Sequence, residues 1–212
     1  SGMCVLLAGV AALALPVAAQ AEQADAAAQT KDSGGIAEIV VTAQKRSENI
    51  QKVPISITAF TAASLETKGV TDVTAVGNLA PNVTLDAGTP FSGSAAVLSA
   101  YIRGIGQNDF AFNLDPGVGV YLDGVYLARS VGANQDLLDI DRVEILKGPQ
   151  GDLFGRNTIG GAISIVTKKP SSDFGGKVEV TVGRFNRIDT KGVINVPLAK
   201  GLYSSLSFST KS

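Results

Sequence analysis

The chain has 212 residues, 45% hydrophobic and 17% charged, and its 18 Lys and Arg against 19 Asp and Glu leave a formal charge of −1. So even a balance offers no excess of cations for phosphates, which argues against nucleic acid as a partner. With no histidine and a single cysteine, Cys4, the sequence excludes Cys/His zinc sites, Ser-His-Asp and Cys-His catalysis, and structural disulfides.

Residues 3–15, MCVLLAGVAALAL, form an apolar run followed by Pro16 and small residues up to Ala19-Gln20-Ala21. That is the pattern of a signal peptide over 1–21, with cleavage after Ala21. The run is shorter than the ~20 residues that a spanning helix needs. From Glu22 to Ile36 the chain is small and polar, too poor in apolar surface to offset the entropy of ordering, so a flexible tether is expected over 22–49. Within it, Glu38-Ile39-Val40-Val41-Thr42-Ala43 carries four consecutive β-branched residues, which favour an extended backbone. With no sheet of its own, such a strand lends its main-chain donors and acceptors to another protein, with Ile39 and Val41 on one face and Val40 and Thr42 on the other. An ordinary first strand of the following domain fits the same residues equally well.

Residues 50–172 read as a small α+β domain. Ile55 to Phe60 alternate as a strand, Thr61 caps a helix that Gly69 ends, and Asp72 caps a second helix with Val73, Val76 and Leu79 on one face, stopped by Pro81. Short strands are expected at 83–85, 96–103, 118–126, 142–147 and 162–167, with a helical turn at Leu137 and Leu138. The order βααβ succeeded by more strands indicates a mixed sheet and not a doubly wound one. Over 173–212, three segments (177–182, 187–196 and 202–209) alternate polar with apolar residues. That period fits transmembrane strands, lipid on one side and lumen on the other. A soluble sheet with one wet face alternates identically.

Other motifs fail. Gly155 to Gly160 has the opening spacing of a phosphate loop, but Gly161 and Ala162 stand where Lys and Ser or Thr are required. Asp136, Asp139 and Asp141 cluster without calcium-loop spacing, so they read as a solvated turn. No metal or cofactor is expected.

One ordered series of segments is specific. It runs Ile102-Arg103-Gly104, then Tyr121-Leu122-Asp123-Gly124-Val125, then Asp141-Arg142-Val143-Glu144-Ile145-Leu146-Lys147-Gly148-Pro149-Gln150-Gly151. Leu153-Phe154-Gly155-Arg156-Asn157-Thr158-Ile159-Gly160-Gly161-Ala162-Ile163 and Val166-Thr167-Lys168-Lys169-Pro170 come next. Together they resemble the plug domain of a TonB-dependent outer-membrane receptor, and 38–43 is similar to that family's TonB box. Lys147 stands where many members carry Arg, and a lysine cannot fork onto a carboxylate.

The resemblance implies an α+β plug leading into the first antiparallel strands of an incomplete transmembrane β-barrel. A whole barrel needs far more residues than this chain carries after Gly175. The resemblance also implies a transporter of the Gram-negative outer membrane and not an enzyme. A scarce solute, a ferric siderophore first among candidates, binds at the plug's outward loops. TonB then pairs with Glu38, Ile39, Val40, Val41, Thr42 and Ala43 and opens a path. Further implied are ionic contacts from plug to barrel at Arg103, Lys147 and Arg156. Ligand-sampling loops are expected around Gln107, Asn108, Asp109, Phe110 and Phe112 and at Arg129. A periplasmic interaction module using the same strand, without transport, is the alternative, and an exported enzyme of unfamiliar type a third.

Overall fold

Thirteen strands and three short helices organise the residues described by the computed structural model, which are 39–210 apart from 89–93, 95, 109–110, 112, 135–136 and 138. In chain order they are β1 (Val40–Val41), β2 (Glu48–Asn49), β3 (Ile57–Thr61), α1 (Ala62–Thr67), α2 (Val73–Gly77), β4 (Val83–Ala87), β5 (Leu98–Ile102), β6 (Ile105–Gln107), β7 (Val118–Leu122) and β8 (Val125–Leu127). Then come β9 (Ile140–Lys147), α3 (Gly151–Phe154), β10 (Gly161–Thr167), β11 (Gly175–Val182), β12 (Ile188–Ala199) and β13 (Leu202–Thr210). The expected signal peptide over 1–21, residues 22–38 of the expected tether, and Asp109, Phe110, Phe112, Asp136 and Leu138 lie outside the described residues.

The domain is α+β. Its main sheet has the order β3-β9-β10-β7-β8, with β10 and β7 parallel and the other neighbours antiparallel. A second sheet, β4-β5-β6, is antiparallel throughout. Strand alternation sorts the main sheet into two faces. Phe60, Val143, Ile145, Ile163, Ile165, Val118 and Val120 point one way, into a core completed by Leu65 of α1, Val73 and Val76 of α2, and Val83, Leu85, Leu98 and Ile102 of the second sheet. Leu146, Ala162 and Tyr121 point the other way, and there the cover is the chain from Ile39 to Ile55. Both helices begin on their expected caps: Thr61 Oγ1 accepts from Ser64 N–H at 3.3 Å, and Asp72 Oδ1 from Ala75 N–H at 3.0 Å.

Two expected single strands prove to be hairpins. The segment 96–103 continues through Arg103 and Gly104, both at positive φ, into β6, so that Ile102 faces Ile105. The segment 118–126 folds back at Asp123 and Gly124, φ 48° and 81°, so that Leu122 faces Val125. Consecutive positive φ values make type I′ turns, for which Asp-Gly is a strong signal. The apolar flanks masked it in the sequence. Leu137 carries no helical structure; its amide instead donates to the Thr71 carbonyl at 3.0 Å.

Strands β11, β12 and β13 form a separate antiparallel sheet. Register places Val178, Val180, Val182, Ile188, Ile194, Leu206 and Phe208 on one face and Lys177, Glu179, Asp189, Lys191, Asn195, Ser205 and Ser207 on the other. Much of the apolar face is open, with Val182 and Leu206 more than half exposed. Asn195 ties the strand pair to the preceding connection, exchanging hydrogen bonds with Ser171 N–H and carbonyl.

Gly161 opens β10 at φ +147°, where a Cβ would run into the Leu146 carbonyl and the Ile102 side chain. Gly161→Ala is expected to destabilise the domain by about 2–4 kcal/mol through strain and overpacking. Urea unfolding followed by circular dichroism measures this, and an unchanged midpoint would show that the sheet adjusts freely there.

Candidate functional site

The stretch singled out at 38–43 is described from Ile39 onward. Val40 faces Asn49 and Val41 faces Glu48 in an antiparallel pair, and Ile50 N–H donates to the Ile39 carbonyl at 2.9 Å. Lys45, at φ 57°, turns the chain, its amide donating to the Thr42 carbonyl at 2.8 Å. Residues 39–49 are therefore folded, where the sequence placed them in a flexible tether, and the strand is not left without neighbours. A ladder of two residue pairs is marginal by itself, so its stability comes from the sheet behind it.

That packing is specific. Val41 and Ala43 are both 0% exposed against Tyr121, Leu146 and Ala162, with Ile39 and Ile50 partly buried beside them. Val40 points outward, 44% exposed. Burying one valine side chain contributes about 1.5–3 kcal/mol, an upper figure for a chain already partly compact when unfolded.

Thr42, between the two buried residues, reaches a carboxylate. Its amide donates to Glu144 Oε1 at 2.7 Å and its hydroxyl donates to the same oxygen at 3.0 Å. Arg142 Nε donates to that oxygen at 2.7 Å, and Arg142 Nη2 donates to Thr42 Oγ1 at 3.2 Å. Arg142 also pairs with Asp141. Glu144 is completely buried, and its Oε2 has no hydrogen-bond partner among the described residues. Taking a carboxylate out of water costs several kcal/mol, which charge-assisted bonds offset only in good geometry.

Around this contact lies an aromatic floor. The Tyr121 ring stands 5.3 Å from that of Tyr126 and 5.0 Å, edge-on, from that of Phe154, and its hydroxyl donates to the Phe154 carbonyl at 2.7 Å. Burial raises the Tyr121 pKa above that of an ordinary phenol, and Tyr126 adds to the effect. The short helix α3, which delivers Phe154, is absent from the expected elements because four residues leave no periodicity to read. Nor were β2, Glu144 and Arg142 singled out for function. Glu144 did leave a trace: a carboxylate inside the apolar run Val143 to Leu146.

The other expected site residues fall into two further places. Lys147 is buried and donates to the Pro81 carbonyl at 2.9 Å. Burial lowers its pKa, and the neighbouring Arg103 guanidinium lowers it further. Among the described residues no carboxylate pairs with either cation. Arg156 is exposed on the loop after α3, without an ion-pair partner among the described residues. Gln107 and Arg129 line one narrow cleft with Leu98 and Ser130, while Asn108 is exposed at its edge of β6.

Residues 49–162 match the TonB-dependent Receptor Plug Domain family. The chain is 32% identical over 171 residues to the pesticin receptor of Yersinia pestis, an alignment covering 80% of this chain and 24% of that protein. It is 28% identical over 177 residues to the ferripyoverdine receptor of Pseudomonas aeruginosa, covering 81% of this chain and 20% of the receptor. Its fold superposes on the ferric yersiniabactin uptake receptor FyuA from Yersinia pestis with a TM-score of 0.64 and 31% identity, over 74% of this chain and 24% of that one. The chain thus spans about a quarter of the length of these relatives.

Tyr121→Phe deletes the donor to the Phe154 carbonyl and is expected to cost about 1 kcal/mol in urea unfolding. A raised phenol pKa means that the folded protein holds its proton longer than the unfolded chain does. The stabilising contribution is therefore complete below pH 10 and is lost as pH rises through the folded-state value. Wild type should lose stability in that alkaline window more steeply than Tyr121→Phe. Parallel pH profiles would refute the assignment.

Proposed function

Because the chain belongs to the TonB-dependent receptor plug family, we propose that it is the stopper of an active uptake receptor, and that TonB opens the receptor by pairing with the strand at 39–43. In this reading the protein resides in the outer membrane of a Gram-negative bacterium, as its relatives in Vibrio cholerae and Pseudomonas aeruginosa do. A ferric siderophore is the solute that the ferripyoverdine and ferric yersiniabactin receptors support. The observation that carries the reading is the way the strand is held: two ladder pairs and two buried side chains. That is enough to dock it and little enough to let it leave.

No bond is made or broken in this scheme, so the machinery is an equilibrium between docked and free strand. Solute binding opens the receptor only insofar as it binds the free-strand state more tightly. When the strand leaves, its backbone becomes an edge to which a partner strand adds, main-chain bonds giving affinity and alternate side chains selectivity. The same edge is matched internally by Glu48 and Asn49, so the partner competes with β2 for one set of donors and acceptors.

Lys147 and Arg103 fit contacts from plug to barrel wall. Two close cations, one of them buried, repel each other and raise the cost of burial until a carboxylate arrives from another element. Gln107, Asn108 and Arg129, with Asp109, Phe110 and Phe112, remain the proposed solute-sampling positions, since recognition sits commonly on loops held by a rigid scaffold.

Val41→Pro removes a backbone donor and blocks strand pairing. In a synthetic peptide of residues 36–46, it is expected to weaken binding of the purified periplasmic domain of TonB at least tenfold, about 1.4 kcal/mol. Unchanged affinity of the peptide in calorimetry would sink strand addition at this site. Lys147→Met, which keeps the stem and deletes the charge, should lower the stability of the plug inside the complete receptor by about 1–3 kcal/mol. A midpoint that does not move would mean that no carboxylate meets Lys147 there.

A further inference from the structure

The buried face of the main sheet that looks toward the strand is mostly apolar, and among its polar residues, Ser164 and Arg142 included, Glu144 is the one carboxylate at its centre. Ile57, Ala59, Leu146, Ala162 and Tyr121 surround Glu144, whose ladder neighbours are Ala59 on β3 and Ser164 on β10. A carboxylate on an interior strand of a sheet, 0% exposed, is an unfavourable choice for stability alone, since an apolar residue of similar volume commonly does as well or better. Its contacts show what it serves. The three hydrogen bonds that Glu144 accepts from the described residues all reach one oxygen, Oε1, and two of them come from Thr42. The third comes from Arg142, which also bonds Thr42 Oγ1 and so holds the carboxylate and the strand in one closed ring.

We propose that Glu144 is the positioning residue that sets how much of the 39–43 strand is free to pair with a partner, with Arg142 orienting its carboxylate. The inference rests on strand addition at 39–43 and adds to it the group that regulates the site. The physical logic is a near balance. Docking the strand seals Glu144 from water, and it leaves Oε2 buried without a hydrogen-bond partner among the described residues. The two Thr42 bonds and the burial of Val41 and Ala43 act the other way. When the strand peels off, both carboxylate oxygens regain water, so undocking recovers hydration in place of the bonds it loses. A wholly apolar contact lacks that compensation, and a fully satisfied carboxylate would hold the strand harder. The half-satisfied one keeps the docked state favoured by only about a hundredfold, a gap that a binding signal of ordinary size can shift.

Only the free strand pairs, so the observed affinity equals the intrinsic affinity scaled by the free fraction. Any change in the docking equilibrium must therefore appear by the same factor in two measurements: hydrogen exchange of the amides of Val41, Thr42 and Ala43, and affinity for the periplasmic domain of TonB. Both are to be measured in the full-length receptor in detergent micelles. Glu144→Gln keeps the volume and one acceptor but removes the charge. It should speed exchange at 41–43 roughly tenfold and tighten the partner's binding by nearly the same factor, with exchange at Ile163 and Ile165 unchanged. Thr42→Val keeps the β-branched shape, deletes the hydroxyl donor and leaves the sheet intact; it should do the same to a smaller degree. The peptide 36–46, with Thr or Val at 42, corrects for any direct effect of that side chain on the partner.

Unchanged exchange at 41–43 in both variants overturns the proposal, because Glu144 then does not hold the strand. Faster exchange with unaltered affinity also overturns it, since docking then does not govern pairing, while binding of the free peptide would leave strand addition standing. If neither receptor nor peptide binds the TonB domain, it is strand addition itself that fails. Faster exchange in the variants would then show only that Glu144 docks the strand, and the regulatory inference falls with its premise.

Discussion

The arrangement depends on how the second face of the main sheet is covered. A five-stranded mixed sheet presents two faces, and water must be kept from the apolar residues of both. On one face, two helices and a second sheet complete an ordinary core. On the other, the cover is a single pass of chain from Ile39 to Ile55 whose own regular structure amounts to two ladder pairs and one short turn of 3-10 helix at Ile50–Lys52. The segment proposed as the handle is thus also part of the wall of a core. Pulling the handle uncovers Tyr121, Leu146 and Ala162 and hydrates Glu144, so the consequence of release reaches the middle strands directly.

That placement explains features that otherwise look unrelated. The aromatic trio of Tyr121, Tyr126 and Phe154 gives the strand a rigid bed, and the bond from the Tyr121 hydroxyl to the Phe154 carbonyl locks α3 to the sheet beneath it. Gly161, where a Cβ would strike the Leu146 carbonyl, lets β10 approach β9 closely enough to present Ala162 to Val41. The polar ring of Thr42, Glu144 and Arg142 sits at the centre of this bed, where one hydrogen bond lost on the strand side leaves a charge poorly served. Apolar burial supplies the adhesion, and the carboxylate supplies the register, since both bonds it accepts from the strand come from position 42.

Elsewhere the domain brings like charges together. Lys147 and Arg103 lie together at the far end of β9 and at the tip of the β5–β6 hairpin, and no carboxylate answers them among the described residues. By contrast, the open apolar face of β11–β13, with Val178, Val180 and Leu206 largely exposed, is what a lipid-facing wall requires. The two faces of that small sheet differ as the alternation of its sequence demands.

Much of this was legible in the residues themselves. Local rules specified the helix caps at Thr61 and Asp72, because a cap involves neighbours three residues apart. Period-two alternation specified the strands and both faces of the last sheet, because successive side chains on any strand point opposite ways. A series of motif segments in one order identified the family. Tertiary structure alone decided what the strand at 39–43 touches. Its partner Glu48 lies close by in the chain but in a segment without strand character, and Glu144 lies 102 residues away. Nor could periodicity separate one long strand from a hairpin at 118–126, since the apolar pattern continues through the turn. A lone extended segment carries the same residues whether it hangs free or covers a sheet. Only the folded arrangement of β9 and β10 creates the apolar bed and places the buried carboxylate opposite Thr42.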